Sequence, residues 1–318
     1  MLRHEPKYPI YIISKGRWDT RMTQKTLEEL EVPYRIVVED SEHDKYAENV
    51  PEHKILTLPT DFRENPKYAK KDVNGLMGGS IPVRNFCWEH SISEGHKRHW
   101  VLDDNMRHIY RLNHNLKTRM TTGSSFRILE DFTDRYENVR LSGMNYAFFC
   151  PANVKRPPYY TNTRIYSCIL IDNSLEHRWR GRYNEDTDLS LNVLKDGDCT
   201  FLFHCFLVGK AATMTMKGGN TEEVYNVQQT GDRHQRGGED FDNRKEFVQA
   251  LVNNHPDHVK LTWKWGRWHH DVNYSVFTQK PIKKHGLNIR KGTNEYGMVL
   301  GKISPDQHNA EGDENYGD

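Results

Sequence analysis

The stretch Arg98-His-Trp-Val-Leu-Asp-Asp-Asn105 joins a short apolar core to an abrupt polar end. Its apolar part, Trp100 to Leu102, predicts a buried strand, which two carboxylates and an amide follow directly. In α/β sheets, ligands gather at the carboxyl ends of strands. Adjacent acids held there can bind a divalent cation and the phosphates it bridges, because hard cations take oxygen ligands. The same residues are equally typical of an acidic turn, since Asp and Asn favour turns.

Apolar runs recur on both sides of this stretch, and polar runs with helical periodicity separate the early ones. Alternation of this kind predicts an α/β fold, with a mostly parallel, Rossmann-type sheet flanked by helices. Predicted strands lie at 9–13, 34–38, 54–58, 106–112, 146–150, 164–171 and 200–208. Predicted helices begin near residues 20, 42, 83, 124, 185 and 240.

Composition narrows the class of protein. With 318 residues, of which 45 are Lys or Arg and 44 are Asp or Glu, the chain is predicted to be globular. No apolar run approaches the length of a membrane span, and Met1 to Pro6 lack the apolar core of a signal peptide. Its five cysteines form no C-x-x-C pair, which is typical of a reduced cytosolic protein. Neither a G-x-G-x-x-G nor a Walker lysine motif occurs, so a standard dinucleotide site and a P-loop are not supported.

Charge is distributed unevenly towards the C-terminus. Residues 255–302 carry nine Lys or Arg against three acids, whereas residues 305–318 carry five acids and neither Lys nor Arg. We therefore predict one α/β domain at 1–254, a basic aromatic C-terminal extension packed on it at 255–304, and a disordered acidic tail at 305–318. A basic segment can follow a phosphate backbone, and it is also typical of a solvated surface.

Polar side chains follow the first two predicted strands, as they follow the strand at Asp103. Lys15 and Arg17 lie in a small-residue turn after the first strand and would suit a pyrophosphate or a base. Glu39 follows the second strand and would suit ribose hydroxyls. Arg84 lies in the first turn of a predicted helix, where a guanidinium can reach phosphate or base. Each of these charges is also compatible with an ordinary surface.

The block Asn184-Glu-Asp-Thr-Asp188 places three acids in the first turn of a predicted helix. The helix dipole favours acids at this position, so capping explains part of the pattern. Three acids exceed what a cap needs. One of them can serve as a general base that takes a proton from an attacking hydroxyl.

Two basic and aromatic stretches suit nucleic acid. Val154-Lys-Arg-Pro-Pro-Tyr-Tyr160 combines aromatics with cations, as base stacking and phosphate contact require, and a proline-rich surface turn explains it equally well. Leu261-Thr-Trp-Lys-Trp-Gly-Arg-Trp-His-His270 predicts either a stacking platform or a packed C-terminal subdomain. One of its two final histidines can place an imidazole on a metal.

The ordered set of motifs resembles a GT-A-type nucleotide-sugar glycosyltransferase over roughly residues 8–215. The set comprises the first strand with Ser14-Lys-Gly-Arg17, then Leu102-Asp-Asp-Asn105 in the place of the usual D-x-D, then Asn184-Glu-Asp-Thr-Asp188 in the place of the acceptor-side acid motif. More narrowly, Ile12-Ile-Ser-Lys-Gly-Arg17 and Arg182-Tyr-Asn-Glu-Asp-Thr-Asp188 resemble the TET-associated glycosyltransferases of bacteriophages. That family is understood to glycosylate 5-hydroxymethylpyrimidines in phage DNA.

The resemblance implies transfer of a hexose or N-acetylhexosamine from a UDP-sugar to 5-hydroxymethylcytosine in double-stranded phage DNA, in the cytoplasm of the infected bacterial host. Asp186 or Glu185 is expected to take the proton from the hydroxymethyl oxygen. A Mn²⁺ or Mg²⁺ ion is expected on Asp103, Asn105 and His270, although the amide of Asn105 departs from D-x-D and is a weaker ligand. Donor contacts are expected from Ser14, Lys15, Arg17, Glu39, Arg84, Asp103 and Asp104. DNA contacts are expected from Arg156, Tyr159, Lys264 and Arg267.

Three other functions stay open at this point. The same fold can act on a glycan or a protein instead of DNA. The acids and histidines can also activate water in a metal-dependent nuclease or phosphodiesterase, and a catalytically inactive DNA-binding module would use the acids only in caps and turns. The sequence leaves open which sugar is transferred, whether the anomer is inverted or retained, and the oligomeric state.

Overall fold

The computed structural model describes residues 5–210 and 243–285, and for residues 243 and 244 only the backbone. The predicted long loop at 217–240 and the acidic tail at 305–318 lie outside the described residues. The strands of the main sheet are β1 (Ile10–Ile13), β2 (Arg35–Val38), β3 (Ile55–Thr57), β4 (Arg98–Asp103), β5 (Met106–Asn113), β6 (Leu116–Arg119), β7 (Val139–Tyr146), β8 (Tyr159–Thr161), β9 (Cys168–Asp172) and β10 (Cys199–Lys210). The helices are α1 (Met22–Glu29), α2 (His43–Ala47), α3 (Ile81–Ser93), α4 (Ser124–Thr133), α5 (Glu185–Lys195) and α6 (Asn243–Asn254). A separate hairpin consists of β11 (Val259–Lys264) and β12 (Arg267–Val272).

The main sheet has the strand order β3-β2-β1-β4-β9-β7-β10-β5-β6, and β8 also pairs with β10. Strands β3, β2, β1 and β4 are parallel, as the alternation of strands and helices predicts. Beyond β4 the directions mix, because β9 runs antiparallel to both β4 and β7 while β7 and β10 are parallel. The α/β fold class predicted from the sequence is confirmed, with helices on both faces of the sheet.

Strand β4 shows why the sheet needs helices on both faces. Trp100 points to one face, where its ring lies 5.1 Å from that of Phe126 in α4. The next residue, Val101, belongs to the core on the opposite face, together with Trp88 of α3. Alternate residues of a strand point to opposite faces, so burial of the whole strand requires two cores. The polar end of β4 is thereby held at the edge of a rigid sheet.

Two predicted strands differ from the observed ones. The predicted strand at 146–150 is wrong, since β7 ends at Tyr146 and a single 3₁₀ turn, Ala147–Phe149, follows. The predicted strand at 164–171 begins only at Cys168, because Ser167 has a φ of 58° and cannot continue an extended ladder. Both differences fall beside the end of β4.

The C-terminal elements pack on α5 through a small apolar core. Leu191 of α5, Leu251 of α6 and Val259 of β11 are its buried members. Helix α6 therefore joins the hairpin to the main domain, and the predicted division of the chain into domains stays a prediction. No helix within residues 5–210 and 243–285 is long and apolar enough to span a membrane.

Candidate active site

The parallel ends of β1 and β4 bring the first two motifs together. Ile13 pairs with Asp103, so the turn after β1 lies against the turn after β4. The Ser14 hydroxyl donates to Oδ2 of Asp104 over 2.8 Å, and the Arg17 guanidinium donates to Oδ1. Burial raises the pKa of Asp104, and the Arg17 charge opposes that rise. Ser14, Arg17 and Asp104 therefore form one cluster at the end of the sheet, and their contact with a donor stays a prediction.

Asp103 lies in a second cluster of charged and polar groups. Arg84 donates to its Oδ1 over 3.0 Å, and Ser167 and Lys210 donate to its Oδ2 over 2.6 and 2.9 Å. Burial alone would raise the pKa of the Asp103 carboxyl, but Lys210 and Arg84 hold it well below its usual range. Asp103 is therefore ionised and fixes two cations at the end of β4.

Sequence reasoning missed Lys210, Ser167 and Tyr146. The Lys210 ammonium donates to the Tyr146 hydroxyl over 3.0 Å and to Ser167 over 2.8 Å, and Tyr146 also hydrogen-bonds Ser167. For Lys210 the sequence contains a weak indication of a functional role, because it is the cation that ends a long apolar strand. Ser167 had none, because its left-handed conformation shows only in the structure; such strain collects at functional sites.

Arg84 links this cluster to the acid block that opens α5. Its Nε donates to the Ser80 hydroxyl over 3.0 Å, and Ser80 in turn donates to Oε1 of Glu185 over 3.0 Å. The Arg84 Nε also lies 3.6 Å from Oε1 of Glu185. Burial raises the pKa of Glu185. The acids after β4 and the acids that open α5, distant in sequence, thus belong to one site.

Asp186 follows Glu185 in the first turn of α5 and is an electrostatic neighbour of both Arg84 and Arg164. It is half-buried, and its Oδ1 accepts the Thr187 N–H over 2.7 Å. The nearest charged neighbours include Arg164, whose Nη1 lies 3.4 Å from Nε2 of His270. Burial, followed by the Arg164 charge, lowers the pKa of His270 to about 4, so this imidazole is neutral near pH 7.

An exposed aromatic surface borders both sides of the site. The rings of Tyr146 and Phe148 stack at 5.1 Å, and Phe148 and Phe149 are 59% and 43% exposed. Tyr146 also lies 4.7 Å from the ring of Tyr166, over which the Arg164 guanidinium sits at 4.8 Å. The aromatic rings therefore form a continuous row from Lys210 to Arg164, in which Phe148 and Phe149 are exposed and Tyr166 is buried.

A family model described as TET-Associated Glycosyltransferase matches residues 8–219, about two thirds of the chain. The chain belongs to this family. None of the curated proteins matches it. The match confirms the resemblance drawn from the motifs and makes the chain a glycosyltransferase with a GT-A-like α/β fold. The matched residues include both acid motifs and Lys210, whereas α6 and the β11–β12 hairpin lie outside the match.

Asp188, the third acid of the block in this TET-associated glycosyltransferase, is structural. Its two oxygens accept from the Arg180 guanidinium over 2.9 and 3.0 Å, and its Oδ1 is also bonded to Nε2 of His255 over 2.8 Å. Burial would raise the pKa of Asp188, but the His255 hydrogen bond and Arg180 lower it. The Asp188 carboxylate therefore ties α6 to α5 and is not available to a substrate.

Replacing Asp188 with asparagine is expected to lower the free energy of unfolding by about 3–5 kcal/mol, the cost of removing one partner from a buried ion pair. The amide N–H₂ would face donors from Arg180 and His255, which need an acceptor. Urea unfolding measures the change. The depressed pKa of Asp188 stabilises the fold above its unfolded pKa, so the difference between the proteins should narrow as the pH falls through the folded value.

Asp196→Asn is the control, since Asp196 is half-exposed and pairs with the exposed His177 at the other end of α5. Exposed pairs contribute about 1 kcal/mol or less. Equal unfolding midpoints for Asp188→Asn and Asp196→Asn would contradict the structural role of Asp188.

Lys15 and Glu39, which follow β1 and β2, pair with each other in this glycosyltransferase. The Lys15 ammonium lies 2.8 Å from Oε1 of Glu39, and Arg63 bonds to the same oxygen. Glu39 therefore has cationic partners at the end of β2. Its predicted contact with ribose hydroxyls stays a prediction.

The described residues do not supply the divalent-ion site that the resemblance implies. The carboxylates of Asp103 and Asp104 are already matched by Lys210, Arg84 and Arg17. Oδ1 of Asn105 is buried without a hydrogen-bond partner among those residues, but one amide oxygen is a weak site alone. His270 contacts Arg164 on the acid-helix side. Within the same residues no group of three or more His, Cys, Asp or Glu could hold a metal.

The four residues predicted to contact DNA lie in two places. The Tyr159 ring packs on the core rings of Phe132 and Phe201, at 5.2 and 4.9 Å, whereas its neighbour Tyr160 is 40% exposed. Arg156 donates to the Tyr160 hydroxyl over 3.2 Å. Of this loop's two tyrosines, Tyr160 is thus better placed to stack on a base. Lys264 and Arg267 are exposed on the β11–β12 hairpin.

Proposed function

We propose that this glycosyltransferase moves a sugar from a UDP-sugar to the hydroxymethyl group of 5-hydroxymethylcytosine in double-stranded phage DNA, in the infected bacterial cell. The observation that carries the proposal is the link from Asp103 through Arg84 and Ser80 to Glu185. It joins a cationic cluster, suited to a leaving diphosphate, to an acid block, suited to an attacking hydroxyl. A transferase needs both within one site.

The donor diphosphate would lie against three cations. Arg17, Arg84 and Lys210 are held by carboxylates at the strand ends, so their orientation is fixed before the donor arrives. Preorganised charge of this kind stabilises a developing anion without reorganisation during the reaction. Nη1 of Arg84 is buried and has no hydrogen-bond partner in the described part of the chain, which leaves a donor for phosphate oxygen. The expected Mn²⁺ or Mg²⁺ stays a prediction, and no step here depends on it.

Asp186 is the better candidate of the two expected bases. Glu185 is engaged by Ser80 and lies beside Arg84, so it belongs to the donor side. We assign Asp186 to the acceptor side, with Arg164 as a positively charged neighbour. It would take the hydroxymethyl proton while the oxygen attacks the anomeric carbon and the diphosphate leaves. A single displacement of this kind inverts the anomer.

The acceptor base would lie on the aromatic surface between the two sides. An exposed ring such as Phe148 can stack on a pyrimidine, and stacking tolerates any planar base. The base must first leave the duplex, which costs a few kcal/mol. Contacts between the extruded base and the site would offset this cost. Lys264, Arg267 and Arg156 would contact phosphates, which positions DNA without reading its sequence.

A transfer assay tests the function. The protein is incubated with a panel of UDP-sugars and with DNA that contains cytosine or 5-hydroxymethylcytosine, and the digested nucleosides are analysed by mass. A gain of one sugar on 5-hydroxymethylcytosine alone is expected. UDP release without a DNA product would point to a glycan or protein acceptor. Strand cleavage without any UDP-sugar would favour a nuclease and overturn the proposal.

A further inference from the structure

We propose that Trp265 is a wedge that enters the DNA stack and fills the space vacated by the acceptor base. The inference rests on the proposed function, since it takes duplex DNA as the acceptor. Trp265 and Gly266 form the two-residue turn of the β11–β12 hairpin, flanked by the paired residues Lys264 and Arg267. The Trp265 side chain is 85% exposed, the highest value among the exposed large hydrophobic residues of the described chain. Apolar side chains at such positions can insert between base steps.

The backbone of this turn is unfavourable for a tryptophan. Trp265 has a φ of 52° and Gly266 a φ of 71°. Two-residue hairpin turns with both central residues in the left-handed region favour Asn, Asp and Gly, and bulky side chains are disfavoured there. The turn itself therefore gains nothing from an indole at its first position. A residue that is both strained and exposed indicates a role for its side chain.

One face of the hairpin is anchored beside the proposed catalytic base. Trp263 and Trp268 face each other across the strands with rings 5.0 Å apart, and the Lys245 ammonium of α6 lies 5.3 Å over Trp268. Two residues further along the same face, His270 contacts Arg164 over 3.4 Å. The hairpin therefore reaches the site at the level of His270.

The length of that arm suits an extruded base. Four residues of β-strand separate the turn from the level of His270, which is about 13 Å at roughly 3.3 Å per residue. The major groove of DNA has a similar width, about 12 Å. A base that leaves the stack at the tip can therefore reach the Asp186 side while Trp265 stays in its place.

The other face of the hairpin is cationic. Arg267 contacts the His269 imidazole over 3.0 Å, and the centroids of the Trp265 and His269 rings lie 5.3 Å apart, with the rings perpendicular. Lys264 pairs with Asp271 over 3.3 Å, but both side chains are about half exposed. Exposed pairs of this kind are weak, so Lys264 can exchange its partner for phosphate. Cations on either side of the indole would hold the two phosphate backbones that border the gap.

Three acceptors with one sequence test the wedge. The first carries 5-hydroxymethylcytosine in a fully paired duplex, the second places an abasic site opposite it, and the third is the single strand. Trp265→Ala is expected to slow transfer about ten- to a hundredfold on the paired duplex, as the loss of one base-stacking contact does. Most of that loss should disappear on the other two, where the base is already unpaired. A 2-aminopurine in place of the acceptor base should brighten when the unchanged protein binds the duplex, and stay quenched with Trp265→Ala.

Trp263→Ala is the matched control, because Trp263 is 56% exposed but lies on the anchored face. It should affect the three acceptors alike. Equal losses for Trp265→Ala on all three would overturn the wedge and assign Trp265 a general part in binding. Unchanged rates on the paired duplex would also overturn it. Absence of transfer by the unchanged protein to any of the three would overturn the proposed function, and the wedge with it.

Discussion

Asp186→Asn is expected to lower kcat for sugar transfer about 10²- to 10⁴-fold, the range that a general base contributes. The amide keeps the size of the side chain and the acceptor for the Thr187 N–H, but it cannot take the hydroxymethyl proton. Single-turnover rates on a duplex with 5-hydroxymethylcytosine measure the loss. UDP binding, followed by calorimetry, should not weaken, because the change removes a negative charge near Arg84.

Glu185→Gln provides the comparison within the same turn of α5. Its hydrogen bond with Ser80 can survive in the amide, and Arg84 keeps its contact with Asp103. We therefore expect a smaller loss than for Asp186→Asn, and UDP binding that is no weaker, because a negative charge beside Arg84 is removed. The reverse order, a near-normal rate for Asp186→Asn and a large loss for Glu185→Gln, would assign the base to Glu185. The anomeric configuration of the product adds an independent reading, since a single displacement assisted by a base inverts it.

The early part of the fold could be predicted because its strands are buried on both faces. Runs such as those of β1, β2 and β4 are continuously apolar and end in polar turns, so both their positions and their direction follow from the sequence. The predicted strand at 146–150 was wrong for the opposite reason. Phe148 and Phe149 are apolar but exposed, and hydrophobicity alone does not tell a core residue from a surface meant for a ligand.

The residues of the candidate site likewise fall into those that a local sequence pattern predicts and those that it does not. Asp103, Asp104 and Asp186 lie in local patterns, where adjacent acids end a strand or open a helix, and these patterns can be read directly. Lys210 contacts Asp103 from 107 positions away, and no local pattern predicts that pairing. The contact between Lys210 and Asp103 depends on the position of β10, which lies two strands beyond β9 in the sheet. The C-terminal end of β10 is therefore close to that of β4. The order of strands in the mixed half of the sheet was the part that sequence reasoning did not reach.

Lys210→Met is expected to lower kcat about 10²- to 10³-fold, comparable with the loss of one group that stabilises a developing oxyanion. Methionine preserves the apolar stem but removes the charge next to Asp103. Arg84 and Ser167 continue to hold the Asp103 carboxylate, so the fold should persist, which thermal unfolding can verify. UDP affinity should weaken in parallel. Lys195→Met, at the exposed end of α5, is the control and should leave both quantities unchanged.

Chelation decides whether these cations or a divalent ion carry the charge of the diphosphate. If Lys210, Arg84 and Arg17 are sufficient, the unchanged protein keeps its rate in EDTA, and added Mn²⁺ does not restore Lys210→Met. If the Mn²⁺ or Mg²⁺ predicted from the motif is required, EDTA stops transfer and Mn²⁺ restores it, while Lys210→Met loses little. The first outcome is expected, because the carboxylates of Asp103 and Asp104 are each engaged by at least one cationic side chain and neutralised before a donor binds.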